Sequence, residues 1–170
     1  WWCKSWGMKV LFGTLLLSLF GMGCGEKSPI STVKEKPAKE LKGEDKHWLT
    51  NLPDALAQAK TENKLVLIDF TGSDWCPPCK LLHDKVLVQK PFLDHAVQNL
   101  VLVMLDFPRK KPQPPELANA NKDLAKQFNV KGFPTLILLD GDGKELAREV
   151  GLAHESPAEL IAWLNDNQPK

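Results

Sequence analysis

The sequence predicts an α/β fold in which one mixed β-sheet is flanked by helices. Residues 65–70 (LVLIDF) and 99–105 (NLVLVML) are compact apolar runs, as expected of strands buried on both faces of a sheet. A helical segment separates them, which indicates a parallel βαβ crossover. Residues 135–139 (TLILL) begin a hairpin, so antiparallel pairing is expected in the same sheet.

Local patterns indicate the first two helices. Leu52-Pro53-Asp54 precedes ALAQAKTENK, and Pro is favoured in a first helical turn. After the first strand, the loop TGSDW leads to CPPCKLLHDKVL at residues 76–87, where apolar residues recur at helical spacing from Leu81 onward. The cysteines of this segment are therefore expected at the start of a helix.

The second half of the chain continues this pattern. Residues 106–115 (DFPRKKPQPP) predict a Pro- and Lys-rich surface loop, and residues 116–128 predict an amphipathic helix. The turn DGDG at 140–143 joins the third apolar strand to a partner strand, KELAREV. A last helix is expected after Ser156, which can cap it, with Glu159 placed to complete a capping box.

The N-terminal region has the layout of an export signal. Residues 10–23 (VLFGTLLLSLFGMG) carry no charge, follow Lys9 and end in small residues. Residues 1–23 are therefore predicted to be a signal peptide, with Met8 as the expected start and residues 1–7 as an extension before it. The apolar run is shorter than the roughly 18–20 residues that span a bilayer, so a permanent transmembrane helix is the weaker alternative.

Residues 20–24 (FGMGC) resemble the lipobox of bacterial lipoproteins, in which a small residue precedes a cysteine that is acylated and becomes the mature N-terminus. The resemblance implies lipidation at Cys24 and a membrane-anchored lipoprotein on the periplasmic side of a bacterial cell. Gly21 stands where the motif usually has Leu. The alternative is an incidental thiol beside an ordinary export signal.

Charge and composition divide the rest of the chain and exclude one class of partner. Residues 24–46 have many charges and few large apolar side chains, so they are predicted to be a disordered tether before a folded domain at 47–170.

The whole chain has 22 Lys plus Arg against 21 Asp plus Glu, and its basic residues are scattered. Nucleic-acid binding is therefore not expected.

Cysteine usage indicates redox or metal chemistry in the folded part. Cys3 and Cys24 fall in the N-terminal region, which leaves Cys76 and Cys79. A helix N-terminus has free N–H groups and partial positive charge, which favour a thiolate and lower the pKa of the first cysteine. Cys76 is the expected nucleophile, and Cys79 is expected to resolve the mixed disulfide that forms on it.

A metal site is the alternative interpretation of this pair. The CxxC pattern is common in zinc sites, which normally bring a second Cys or His pair, and none is apparent here. His83 lies one helical turn after Cys79, so a copper or zinc site made of Cys76, Cys79 and His83 stays open. Lys80 rather than His follows Cys79, which excludes the c-type haem motif.

The segments LVLIDFTGSDWCPPCK and VKGFPTLILLDGDGKE and the order of elements resemble the thioredoxin superfamily over residues 47–168. The resemblance implies that Trp75 shapes the surface beside the cysteines. It implies that Pro134 forms a cis bond with Phe133 and presents backbone to an extended substrate. It also implies that Asp69 is the buried acid that moves protons for the second cysteine. The residues alone leave an alternative open for each position. Trp75 is then an ordinary packed aromatic, Pro134 a trans proline that opens a strand, and Asp69 a structural acid at the end of a strand.

Together these features predict a thiol–disulfide oxidoreductase of exported proteins that needs no bound cofactor. Its expected partners are the thiols and disulfides of exported proteins, a membrane electron-donor protein, and the membrane through a lipid anchor. The alternatives are a metal-binding chaperone that uses the CxxC with His83, and a redox-inert interaction module that retains only the fold.

The dipeptide Pro77-Pro78 predicts the direction of electron flow. Neither residue has a backbone N–H, so two donors that could face the Cys76 sulfur at the helix start are missing. A less stabilised thiolate makes the dithiol a better reductant. We expect a potential nearer to the roughly −270 mV of thioredoxin than to the roughly −120 mV of a strong bacterial oxidant.

Overall fold

The computed structural model describes residues 47–169. The predicted signal peptide, the tether and Cys24 lie outside these residues. Between residues 47 and 169, no helix has both the length and the apolarity needed to cross a membrane. The elements are β1 (Trp48–Leu49), α1 (Leu52–Glu62), β2 (Leu65–Thr71), α2 (Pro77–Leu82) with a π-helical turn (His83–Leu87), α3 (Lys90–Asn99), β3 (Leu100–Asp106), α4 (Pro115–Gln127), β4 (Thr135–Leu139), β5 (Glu145–Val150) and α5 (Pro157–Asp166).

These five strands form one mixed sheet in the order β1-β3-β2-β4-β5. Strand β2 runs parallel to β3 and antiparallel to β4, and β4 pairs with β5 as the predicted hairpin. The predicted combination of a βαβ crossover and an antiparallel hairpin is confirmed. Thr71 lies opposite Asp106 where β2 and β3 end, so both strands deliver polar residues to the same edge of the sheet.

Helices cover both faces of the sheet. Side chains alternate between the faces of a strand, and Val66, Ile68 and Phe70 belong to the core that also contains residues of α1 and α4. Leu67 belongs to the opposite core, with residues of α2, α3 and α5. The same alternation turns Asp69 toward the layer that contains α2. A buried acid therefore lies on the side of the sheet where the cysteines are.

The structure contains two elements that the sequence interpretation missed. Strand β1 has only two residues and pairs with β3, and so short a segment carries no alternation pattern. Helix α3 has Pro91 in its first turn, where a backbone N–H would have no intrahelical partner, so the missing N–H of proline removes no hydrogen bond. Because Asn99 ends this helix, β3 begins one residue later than predicted and extends to Asp106.

Side-chain caps explain several helix boundaries. Asn51 accepts a hydrogen bond from the Asp54 N–H at the start of α1 at 3.3 Å. Ser156 accepts one from the Glu159 N–H at 3.4 Å, as predicted for α5. The second half of the predicted capping box is different, because the Glu159 carboxylate accepts from the N–H of Glu155, at 2.8 Å, one residue before the cap.

Candidate active site

Cys76 and Cys79 form a disulfide at the start of α2, with 5.3 Å between their Cα atoms. Cys76 is the N-cap residue of the helix, which confirms the predicted position of the pair. The Cys76 N–H donates to the Gly72 carbonyl at 2.9 Å, so the loop that follows β2 positions the first sulfur. In the disulfide form, Cys76 and Cys79 are only 3% and 2% exposed.

One backbone donor reaches the Cys76 sulfur from within the helix. The Cys79 N–H donates to Cys76 Sγ at 3.3 Å. Pro77 and Pro78 occupy the first two helical positions and have no N–H to offer. The first turn of α2 therefore stabilises charge on Cys76 through a single amide, where a helix without these prolines would offer more.

Asp69 lines the same cleft as Cys79 and has an unusual protonation equilibrium. The residue is 2% exposed, and its Oδ1 atom has no hydrogen-bond partner among the described residues. Burial, and secondarily the charge of Asp106, raise the pKa of Asp69 to about 7. Asp69 and Cys79 line one cleft of about 570 Å³. A carboxyl that titrates near neutrality therefore shares a cleft with the second cysteine.

Asp106 is a polar residue of this site that the sequence interpretation did not assign. Its carboxylate accepts from the Ser73 N–H at 2.9 Å and from the Ser73 hydroxyl at 2.6 Å. Its backbone carbonyl accepts from the amide side chain of buried Asn121 at 2.9 Å. A signal was present, because Asp106 follows an apolar strand that was predicted to run parallel to the Asp69 strand.

Trp75 is fixed beside the disulfide by four neighbours. Its indole N–H donates to the Phe107 carbonyl at 2.8 Å, and its ring meets the Phe133 ring edge-on at 5.9 Å between centroids. The Arg109 guanidinium carbon lies 3.6 Å from the Trp75 ring centroid. A Cβ atom at Gly72 would lie 2.6 Å from the indole, so this close approach requires glycine. Trp75 thus has a defined place on the surface next to Cys76.

The peptide bond between Phe133 and Pro134 is cis, as predicted. Phe133 is half-buried and its ring also packs on Phe107, with centroids 5.0 Å apart. The segment is held at both ends, because the Gly151 N–H donates to the Pro134 carbonyl at 2.8 Å and the Thr135 hydroxyl donates to the Gly132 carbonyl at 2.8 Å. Through Phe133 and Trp75, this segment contacts the loop that carries the cysteines.

Asp74 holds the loop that follows β3. Its carboxylate accepts hydrogen bonds from three consecutive backbone N–H groups, those of Arg109 at 3.0 Å, Lys110 at 2.7 Å and Lys111 at 3.0 Å. These bonds lower the pKa of Asp74 to about 2, so its carboxyl is ionised at neutral pH. Nothing in the sequence signalled this contact, because it joins residues 35 to 37 positions apart.

His83, the third member of the alternative metal site, lines the same cleft as Cys79. Its Nδ1 atom lies 3.1 Å from the carboxylate of Asp84. Among residues 47–169, no group of three His, Cys, Asp or Glu side chains is arranged to hold a metal ion. Cys76 and Cys79 are bonded to each other.

A cysteine pair that closes into a disulfide at a helix start, in a cleft that a buried acid also lines, defines a thiol–disulfide oxidoreductase. Residues 52–168 match the thioredoxin-like domain family. The chain belongs to this family, and the resemblance seen in its motifs is confirmed.

Relatives of known name agree with this class. The chain is 35% identical over 146 residues to the disulfide bond reductase DsbH of Chlamydia pneumoniae, which is 85% of this chain and 86% of that protein. A solved structure named DsbH oxidoreductase superposes with a TM-score of 0.65 at 30% identity, covering 78% of this chain and 92% of that one. The chain is also 32% identical over 111 residues to the thiol:disulfide interchange protein DsbD of Vibrio cholerae, but these are only 17% of DsbD.

Proposed function

We propose that this oxidoreductase works as a reductant of disulfide bonds in exported proteins. The observation that carries the proposal is the Cys76–Cys79 disulfide at the start of α2, where one N–H reaches the first sulfur. With few donors to stabilise its thiolate, the reduced pair gives up electrons readily. Similarity to a protein named disulfide bond reductase supports the same direction.

In the proposed reaction, the Cys76 thiolate attacks one sulfur of a substrate disulfide. A mixed disulfide forms between Cys76 and the substrate, and the other substrate sulfur leaves as a thiolate. Cys79 then loses its proton and attacks Cys76 Sγ, which releases the second substrate thiolate. Two electrons pass from the dithiol to the substrate, and the Cys76–Cys79 disulfide remains.

Asp69 is the proposed acceptor of the Cys79 proton. An ordinary Asp is too weak a base for this task, but a carboxyl with a pKa of about 7 is well matched to proton transfer near neutral pH. Both groups line one cleft, and the Asp69 Oδ1 atom has no hydrogen bond to another described residue. Asp69 can therefore take up the proton when Cys79 attacks.

Substrate positioning is assigned to Trp75, Phe133 and Pro134. The rings of Trp75 and Phe133 pack edge to face and form a half-buried apolar surface beside the disulfide. Such a surface suits the side chains that flank a cysteine in an extended segment, and the neighbouring backbone can pair with that segment as an added strand does.

The Cys76–Cys79 disulfide must be reduced again before the protein can act on another substrate, and we assign that role to a membrane protein that donates electrons. Lipidation at Cys24, followed by a tether to residue 46, would hold the domain near such a donor on the periplasmic side. Replacing Cys24 by Ser should move the protein from the membrane fraction to the soluble one, because the tether itself has no apolar anchor. A Cys24→Ser protein that still sediments with membranes would favour an uncleaved N-terminal helix.

The reductase activity is tested with the pre-reduced chain and insulin as a model disulfide substrate. Reduced protein should cleave the insulin disulfides and accumulate its own disulfide in equal amount, which thiol labelling measures. Cys76→Ser is the matched inactive control. Protein that binds metal tightly in its reduced form but leaves insulin intact would overturn the proposal in favour of a metal carrier.

A further inference from the structure

We propose that the loop after β3 forms a basic rim that selects substrate proteins with acidic side chains beside their disulfide. The rim consists of Arg109, Lys110 and Lys111, with Lys80 of α2 next to them. The inference rests on the proposed reductase function and adds a substrate preference to it.

The backbone of the rim is held in place by hydrogen bonds. Three consecutive N–H groups of the loop donate to the ionised carboxylate of Asp74, and hydrogen bonds to a charged acceptor are among the stronger ones in proteins. A basic loop without such a contact would lose much conformational entropy on binding a partner. Asp74 supplies this backbone order in advance, so the basic side chains of the rim start from fixed backbone positions.

The rim lies beside the reacting disulfide. The Arg109 guanidinium stacks on Trp75, the residue before Cys76. Lys111 lines the cleft that also contains Cys79 and Lys80. The Lys80 ammonium group lies 3.3 Å from the backbone carbonyl of Asp74, which connects α2 to the same loop.

The charges of the rim are available to a partner. Within residues 47–169, none of the four cations forms a salt bridge, and all four residues are exposed. Of the nearby acids, Asp74 and Asp106 already accept hydrogen bonds from the protein itself, and Asp84 pairs with His83. The ionised Asp74 carboxylate attracts Lys111 and offsets part of the positive charge of the rim. Acidic side chains on a substrate therefore meet the remaining positive charge, which speeds encounter and favours one orientation.

Three synthetic peptides test the preference. They share one intramolecular disulfide, flanked by Glu, by Gln or by Lys, and each is reduced in a single turnover by excess pre-reduced protein. Rates with dithiothreitol correct for differences in the peptides' own reactivity. We expect the Glu peptide to react about three- to tenfold faster than the Lys peptide at low salt, with a smaller ratio at high salt.

A charge-reversal variant tests whether the basic rim causes the preference for the Glu peptide. The double variant Lys110→Glu with Lys111→Glu should favour the Lys peptide instead. The control is Lys122→Glu with Lys144→Glu, which makes the same charge change on α4 and in the β4–β5 turn and should keep the preference for the Glu peptide. Equal rates for the three peptides, or an unchanged preference in the reversed rim, would overturn the inference alone. If no peptide is reduced, the reductase function itself is wrong.

Discussion

Asp69 and Asp74 lie five positions apart in the segment before Cys76, and the structure shifts their pKa values in opposite directions. Asp69 is buried and has one carboxylate oxygen with no partner among the described residues, so its pKa rises to about 7. Asp74 accepts three backbone N–H groups, so its pKa falls to about 2. Burial disfavours the charged form of Asp69, whereas hydrogen bonds to the ionised carboxylate favour the charged form of Asp74.

The comparison separates an inner side of the site from an outer side. The inner side contains Asp69, Cys79 and Asp106, where burial allows a carboxyl to exchange protons at neutral pH. The outer side contains Trp75 and the exposed basic rim, whose Lys80 and Lys111 also line the cleft, and there an ionised carboxylate fixes the backbone of a loop. We infer that the inner side carries the proton chemistry and that the outer side recognises the substrate.

The largest expected effects distinguish the two cysteines. Cys76→Ser should reduce the rate of insulin reduction below a few per cent of the wild-type value, because only a thiolate attacks a disulfide at a useful rate. Cys79→Ser should instead accumulate mixed disulfides with substrate, since the attacking sulfur remains and the resolving one is gone. Non-reducing gels detect these adducts. Adducts on Cys76→Ser but not on Cys79→Ser would mean that Cys79 attacks the substrate and Cys76 resolves the mixed disulfide.

The second prediction tests the inner side alone. Asp69→Asn should slow resolution of the mixed disulfide by about a hundredfold at pH 7, the lower end of the usual range for acid–base catalysis. In the wild-type protein, the rate should rise with pH through about 7, because Asp69 accepts a proton only when ionised. Stopped-flow measurement across pH 5–9 should show this inflection in wild type and not in the variant.

The Asp69 prediction has an internal control. Above the ordinary thiol pKa of about 8.5, Cys79 ionises without help, so the difference between the two proteins should shrink. A constant ratio of rates at every pH would mean that Asp69 acts through structure and not through its proton.

The third prediction tests the contact between the outer side and the cysteine loop. Gly72→Ala places a Cβ atom 2.6 Å from the Trp75 ring, so we expect a loss of about 1–3 kcal/mol in the free energy of unfolding. Urea denaturation of the oxidised protein measures it. Gly132→Ala is the matched control, since its added Cβ meets nothing within 4 Å. Equal stability of the two variants would show that Trp75 moves aside at little cost.

The smallest effect is expected from Asp74→Asn. The variant keeps one oxygen acceptor but loses the charge, so amide hydrogen exchange at residues 109–111 should become several times faster. In the wild-type protein, the NMR chemical shifts of these backbone amides should change with pH around a midpoint near 2, because the hydrogen bonds weaken when the Asp74 carboxyl, whose pKa is about 2, is protonated. Asp54→Asn, an exposed carboxylate of α1, is the control and should leave these amides unchanged. A titration near pH 4 would contradict the contact.

Most of the fold follows from local sequence patterns, whereas part of the site does not. The apolar runs predict β2, β3 and β4 because each is buried on both faces, and the turn DGDG predicts the hairpin. Strand β1 is too short to carry a pattern, and its position depends on pairing with β3. Helix α3 was missed although Pro91 marks its first turn, since its apolar residues continue those of the preceding helix.

The same distinction applies to the site residues. The cysteine pair, Trp75 and the cis proline belong to short motifs, so their positions could be read from the chain. Asp106 and Arg109 reach the site through a sheet edge and a loop that only the folded chain brings together. Asp106 had one indirect signal, its place after a strand predicted to run parallel to the Asp69 strand, whereas the contact of Arg109 with Trp75 leaves no periodic or spacing signal in a single sequence.

The reduction potential of the Cys76–Cys79 pair tests the central claim most directly. It is measured by equilibrating the protein with defined ratios of reduced and oxidised glutathione and counting free thiols. Because a single N–H reaches the Cys76 sulfur, we predict a value near the roughly −270 mV of thioredoxin. A value above about −180 mV would identify an isomerase or oxidase and contradict the proposed direction of electron flow.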